Sequence, residues 1–236
     1  MKINRIKIFP TNIYLLSLKK GYLMIDTSFY NKFNILLKKL KKYNIKLKDI
    51  KYIFLTHYHD DHAGMIKKIL DETNAKLILH KNSLPVLKRG TFLNYSPEGR
   101  LLNPCVKFIS YLHSKIIKRD YKFPPIKQSN RLIIIKNDNS SLLKSIGIEG
   151  KILYTPGHTI DSISLVLDNG YAFVGDVCMN LLKFCNTKYY PLYAEDYSII
   201  TKSWEKLLKN GAKIIYPAHG KEFSAIKLKK FINHKN

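Results

Sequence analysis

Residues 56–64 read Thr56-His57-Tyr58-His59-Asp60-Asp61-His62-Ala63-Gly64, a run that crowds histidines and carboxylates between positions 57 and 62. Imidazole and carboxylate are costly to bury unless something pairs with them, and a divalent cation pairs with both. Residues two apart on an extended segment point the same way, so His57 and His59 can grip one cation from one side. Asp61 and His62 stand where a helix is expected to begin and can turn toward a second cation. The pattern differs from His-Glu-x-x-His, in which one helix presents two histidines a turn apart.

Two cations need more ligands. The chain offers His158 in Thr155-Pro156-Gly157-His158, Asp176 in Val174-Gly175-Asp176, and His219 in Pro217-Ala218-His219-Gly220. Each follows an expected strand at a loop containing Gly or Pro, where a rigid scaffold presents functional side chains. A lone histidine is ordinarily satisfied within structure, but seven candidate ligands, four of them between positions 57 and 62, do not fit that reading. Among the other histidines, His80 reads as structural or near the site, and His113 and His234 read as exposed.

The elements that must hold these residues alternate between β and α texture. Short β-type runs over 2–8, 12–17 and 20–26 precede a helical pattern over 30–43, in which Phe33, Ile35, Leu36 and Leu40 are apolar and the interleaved lysines form a solvated face. Residues 51–56 form a nearly continuous apolar run, as expected of a strand buried on both faces, and the histidine cluster follows its end. A helix over about 62–73 and a strand over 76–80 come next. Residues 81–130, punctuated by prolines, contain a basic helix over 105–119 and read as an inserted lid or interface segment of a single domain spanning 1–236. The β texture then returns at 131–136, 151–155, 162–167 and 171–175, with Asp168-Asn169-Gly170 as a hairpin turn. A helix over 195–209, a strand over 213–216 and a helix near 221–233 complete the pattern.

The motif His57-x-His59-x-Asp61-His62, followed in order by His158, Asp176 and His219, resembles the signature of the metallo-β-lactamase-fold hydrolases. The resemblance covers nearly the whole chain and is specific for fold rather than substrate. It implies an α+β four-layer αββα sandwich with a helical insertion and the site at one edge. It also implies one metal on His57, His59 and His158 and another on Asp61, His62 and His219, with Asp176 bridging them. Asp26, in an Ile-Asp-Thr turn, is expected to orient a ligand. The nucleophile is then a hydroxide bridging two divalent ions, with Asp61 also orienting it, and no serine or cysteine nucleophile is needed. Imidazole at position 59 suits zinc and leaves iron and manganese open; redox di-iron relatives usually carry Glu there.

The resemblance separates substrate branches less well. The commonest β-lactamases carry Cys at the Asp176 position. Glutathione-thioester hydrolases add a C-terminal helical domain, whereas this chain continues only to Asn236 after His219. Lactonases often carry Tyr three residues after the bridging Asp; Met179 stands there, and Tyr189, Tyr190 and Tyr193 follow in the next loop. The reading is therefore a hydrolase of a small ester, thioester or lactone, with a phosphodiesterase or nuclease as the alternative and β-lactam hydrolysis behind both.

Composition bounds the rest. A chain of 236 residues that is 45% hydrophobic can bury a sizeable core. The net charge is +24, yet only five of the 41 basic residues are arginine. Lysines spread along the chain fit an A·T-rich coding bias at least as well as a nucleic-acid footprint, which usually shows arginine. The expected partner is a small-molecule substrate rather than nucleic acid or membrane, and the positive field would speed encounter with an anionic one. No apolar run reaches the ~18–20 residues of a membrane span, and no signal-peptide pattern follows Lys2 and Arg5. Cys105, Cys178 and Cys185 form no Cys-x-x-Cys pair, so three reduced thiols in a cytoplasmic setting are expected.

Overall fold

The computed structural model describes residues 2–92, 99–116, 121–127 and 129–232. The strands in chain order are β1 (Ile3–Ile8), β2 (Thr11–Ser17), β3 (Tyr22–Ile25), β4 (Ile50–Phe54), β5 (Lys76–His80), β6 (Arg100–Leu101), β7 (Leu132–Ile135), β8 (Gly150–Tyr154), β9 (Ile163–Leu167), β10 (Tyr171–Phe173), β11 (Tyr193–Ala194), β12 (Ile214–Tyr216) and β13 (Phe223–Ser224). The helices are α1 (Phe33–Lys42), α2 (Asp60–Ala63), α3 (Ile66–Glu72), α4 (Leu84–Arg89), α5 (Pro104–Ile116), α6 (Leu142–Ser145), α7 (Ile200–Lys209) and α8 (Ile226–Ile232). One sheet runs β1-β2-β3-β4-β5-β7 and a second β13-β12-β10-β9-β8, while β6 and β11 form a separate ribbon. The steps β3–β4, β4–β5, β5–β7 and β10–β12 are parallel.

Side chains alternate across a strand, so each sheet strand feeds two cores. On β2, Ile13 and Leu15 face one way and pack with Leu36, Leu40, Ile66 and Ile69 of α1 and α3. Tyr14 and Leu16 face the other way and meet Ile163, Leu165 and Phe173 of the second sheet. On β9 and β10, Val166 and Ala172 turn outward onto Trp204, Leu207 and Leu228 of α7 and α8. Three apolar layers separated by two sheets make the four-layer αββα sandwich that the family resemblance implied. Full burial of each Leu, Ile or Phe contributes ~1.5–3 kcal/mol relative to exposure, so both sheets are held on both faces.

Several elements depart from expectation for identifiable reasons. The helix anticipated over 62–73 breaks at Met65, because Thr27 Oγ1 donates to the His62 carbonyl and accepts from the Met65 N–H. The basic helix anticipated over 105–119 is α5, and residues 117–120 lie outside the described residues. The helix anticipated from 195 begins at Ile200, because Glu195 N and Asp196 N donate to the carbonyls of His158 and Gly157. Ile35, expected on the apolar face of α1, is 41% exposed. The expectation of three free thiols is corrected: Cys105 and Cys185 are joined in a disulfide across 80 residues, their Cα atoms 5.4 Å apart. Asn103 Nδ2 also donates to the Cys185 carbonyl, so the start of α5 is tied to the loop after Asp176. Only Cys178 is free and it is buried, which pushes its thiol up. Among the described residues, no helix is long and apolar enough to cross a membrane.

Candidate metal centre

All seven candidate ligands arrive at one edge of the sandwich. His57 and His59 follow β4, Asp61 and His62 lie in α2, His158 lies between β8 and β9, Asp176 follows β10 and His219 follows β12. Open sheets leave a crevice at the carboxyl ends of their parallel strands, and β4, β10 and β12 end here. The two sheets are stitched together at this edge. Asn12 N donates to the Ala218 carbonyl, and Tyr14 Oη to that of Pro217. Gly175, at φ +54°, lets β10 approach so closely that a Cβ there would lie 2.5 Å from Thr56 Oγ1.

The seven side chains are all buried and group into three overlapping sets: His57, His59 and His158; His57, His62 and Asp176; and Asp61, His62 and His219. In the first, His57 Nε2, His59 Nδ1 and His158 Nε2 stand 3.0–3.1 Å from one another. Asp176 Oδ2 lies between the groups, 3.3 Å from His219 Nε2 and 3.6 Å from both His62 Nε2 and His158 Nε2.

The outer nitrogens decide what the inner ones are. His158 Nδ1 is 2.8 Å from the Tyr193 carbonyl and His219 Nδ1 3.1 Å from that of Pro10. A carbonyl only accepts, so both Nδ1 atoms carry hydrogen. Asp26 Oδ2 accepts from His62 Nδ1 at 2.8 Å. Thr56 Oγ1 gives its proton to Asp26 and therefore accepts from His57 Nδ1 at 3.0 Å. In the neutral tautomers so fixed, four Nε2 lone pairs point inward.

Burial, with neighbouring imidazoles next in effect, holds His57 and His59 well below the usual range; burial also lowers His158. Three neutral imidazoles with converging lone pairs repel unless a cation lies among them. Tetrahedral coordination with bonds of ~2.0–2.1 Å puts such nitrogens about 3.3 Å apart, close to the spacing found. His62 Nε2 and Asp176 Oδ1 are buried without a hydrogen-bond partner, as atoms reserved for an ion would be. Burial opposes protonation of His62 and His219, but Asp176, Asp61 and, for His62, Asp26 outweigh it, raising His219 to about 10. Those protons must leave when a cation enters, so metal affinity falls toward acid pH. The residues present fit a divalent-metal site.

Asp26 does what its turn suggested: besides His62 it holds the Thr56 N–H at 2.9 Å, locking the end of β4. His80 is structural, stacked on Tyr154 at 4.6 Å and bonded to the Lys136 carbonyl. His113 is exposed, and His234 lies outside the described residues. Sequence reasoning missed Glu195, whose carboxylate accepts from Tyr58 Oη and from Ile160 N. It thereby braces the segment between His57 and His59 on one side and the His158 loop on the other. Thr11 was missed as well; its hydroxyl lies 3.5 Å from Asp61 Oδ2. Neither carries a local motif; only the tertiary fold brings them near.

Fold and site together define a metal-binding αββα sandwich with the cluster at its edge. Residues 6–219 match the family model of the Metallo-beta-lactamase superfamily, and the chain belongs to that superfamily. It is 31% identical over 162 residues to a probable metallo-hydrolase of Methanocaldococcus jannaschii, covering 68% of this chain and 64% of that protein. It is 26% identical over 236 residues to a beta-lactamase-like protein 2 homolog of Drosophila melanogaster, covering 96% and 64%. The chain thus spans less than two thirds of the length of these relatives. A metallo-beta-lactamase family protein of Thermus thermophilus shares the fold, with a TM-score of 0.70 at 18% identity over 99% of this chain and 78% of that one.

Proposed function

We propose that the chain is a dinuclear metal-dependent hydrolase of a small ester, thioester or lactone, with two zinc ions as cofactors. The observation that supports it is the pair of inward-facing ligand sets on either side of Asp176. His57, His59 and His158 would hold one ion, Asp61, His62 and His219 the other, and Asp176 would serve both. When bound, such ions supply Lewis acidity toward a carbonyl oxygen and a water acidified to near-neutral pKa. The chain's own part is positioning. Asp26, Thr56, the Tyr193 carbonyl and the Pro10 carbonyl fix the tautomer and direction of four imidazoles. Asp61 accepts from Thr11 beside the cluster and is placed to orient a water there.

A phosphodiesterase is the second reading, and the net charge of +24 is what favours it. The test is metal analysis of the purified chain alongside a screen of ester, thioester, lactone, phosphodiester and β-lactam substrates. The first reading expects about two zinc ions per chain and turnover of a carbonyl substrate, with Asp176→Asn losing both activity and metal. Full activity of Asp176→Asn would refute the shared carboxylate. Turnover confined to phosphodiesters, with binding that weakens steeply in salt, would establish the second reading.

A further inference from the structure

The two flanks of the metal centre differ in chemistry. Beside Asp61 and His219 stand the Thr11 hydroxyl and the Pro10 carbonyl. Beside His59 and His158 stand aromatic rings. Phe92 lies 4.6 Å from His59 between ring centroids, and Tyr193 lies 6.0 Å from His59 and 6.3 Å from His158. Tyr121 meets Phe92 edge-on at 5.5 Å and is itself 36% exposed. Phe92 is half-buried, packed in part against the core that includes Tyr58, Val86 and Leu87. Tyr193 is fixed from both ends: its carbonyl holds His158, and its hydroxyl end packs so tightly on Gly99 that a Cβ there would overlap it.

A phenyl ring against a buried ligand, as Phe92 is against His59, does nothing for an ionic substrate, which calls for arginine or lysine at that distance. They suit the nonreacting part of a molecule whose reacting carbonyl lies at the metals. Resting on the hydrolase reading above, we infer that Phe92, with Tyr121 and Tyr193, is a specificity-determining wall for an apolar group, so that the substrate is an ester, thioester or lactone bearing an alkyl or aryl substituent rather than a short acyl compound. A fully buried methylene is worth about fourfold in affinity and a half-buried one about twofold, so the four extra methylenes of hexanoate over acetate predict about 16-fold tighter binding.

The experiment titrates the zinc-loaded full chain with acetate, butyrate and hexanoate by calorimetry, and assays the matching p-nitrophenyl esters in parallel. The expected hexanoate-to-acetate affinity ratio is about 16 in the parent, under about 4 in Phe92→Ala, and close to the parent value in Phe92→Leu. If Phe92→Ala does not fold, Phe92→Gln, which keeps the length without the ring, takes its place with the same expectation. A ratio near 1 in the parent, or one unchanged by removing the ring, overturns the inference. Carboxylate binding needs no turnover, so the two readings fail separately. A chain-length slope with no turnover of any ester, thioester or lactone in the screen leaves the wall and sinks the hydrolase, whereas brisk hydrolysis with a flat slope sinks the wall alone.

Discussion

Replacing Asp161 by Asn should remove a large pH dependence of stability. Asp161 lies in the turn after His158 and is fully buried; its carboxylate accepts from Ser83 Oγ and Thr159 Oγ1, each at 2.6 Å. Burial pushes its carboxyl up to about 7, the two hydroxyls pull the other way, and the charge of Glu195 adds to the rise. The unfolded chain releases this proton near pH 4 and the folded chain near 7. Between those values the folded state binds more protons, so stability falls as pH rises and levels off above the folded pKa. About three pKa units at ~1.4 kcal/mol each make about 4 kcal/mol over the whole window, of which about 3 falls between pH 5 and 8. Asparagine keeps the size and an acceptor but does not ionise. Urea unfolding of both proteins at pH 5 and pH 8, with chelator present throughout, gives the double difference. The parent is expected to lose about 3 kcal/mol more than Asp161→Asn between the two pH values. Equal losses would show that Asp161 is ionised in the folded protein at pH 5, and the reasoning from burial would fail.

The disulfide closes a separation of 80 residues, and chain entropy puts its contribution at about 4.5 kcal/mol, so Cys105→Ser should lower the unfolding free energy by that order. Thiol titration of the unreduced, denatured protein should find one thiol, that of Cys178; three would refute the bond and match a reducing compartment. Trp204 is fully buried and its Nε1–H donates to the carbonyl of Val177, next to Asp176. Trp204→Ala should cost about 3–5 kcal/mol in urea unfolding and reduce retained metal; a loss under about 1 kcal/mol would contradict its place in the core. Gly220 follows His219 at φ +96°, and a Cβ would sit 2.1 Å from the Asn180 carbonyl oxygen. Gly220→Ala should displace His219 and lower the divalent-metal content measured by elemental analysis, and an unchanged content would refute the tight fit.

Much of the site was legible because its chemistry sits in side chains at strand ends. His57, His59, Asp61 and His62 follow an apolar run too continuous for anything but a doubly buried strand, and His158, Asp176 and His219 repeat that context. The supporting atoms were not legible. The carbonyls of Pro10 and Tyr193 that set two imidazole tautomers belong to backbone, which has no residue signature. Glu195 sat inside an apparent helical pattern until two backbone bonds to the His158 loop took residues 195 and 196 out of it. The helix break at Met65 depends on one threonine hydroxyl from another part of the chain. Nor could spacing pair Cys105 with Cys185, because nothing local links the start of α5 to the loop after Asp176.

The seven ligands are divided between the two halves of the sandwich, and neither half owns a complete set. His57, His59, Asp61 and His62 hang from the first sheet; His158, Asp176 and His219 hang from the second. A cation held there is a rivet between layers whose strength is set from outside the molecule. Free metal at 100 times its dissociation constant would add about 2.7 kcal/mol to the closed arrangement, and starvation would withdraw it. Two pieces of a chain nicked in the connection between β7 and β8 would still share the apolar layer between the sheets, and a bound divalent ion would tighten their reassociation by that margin.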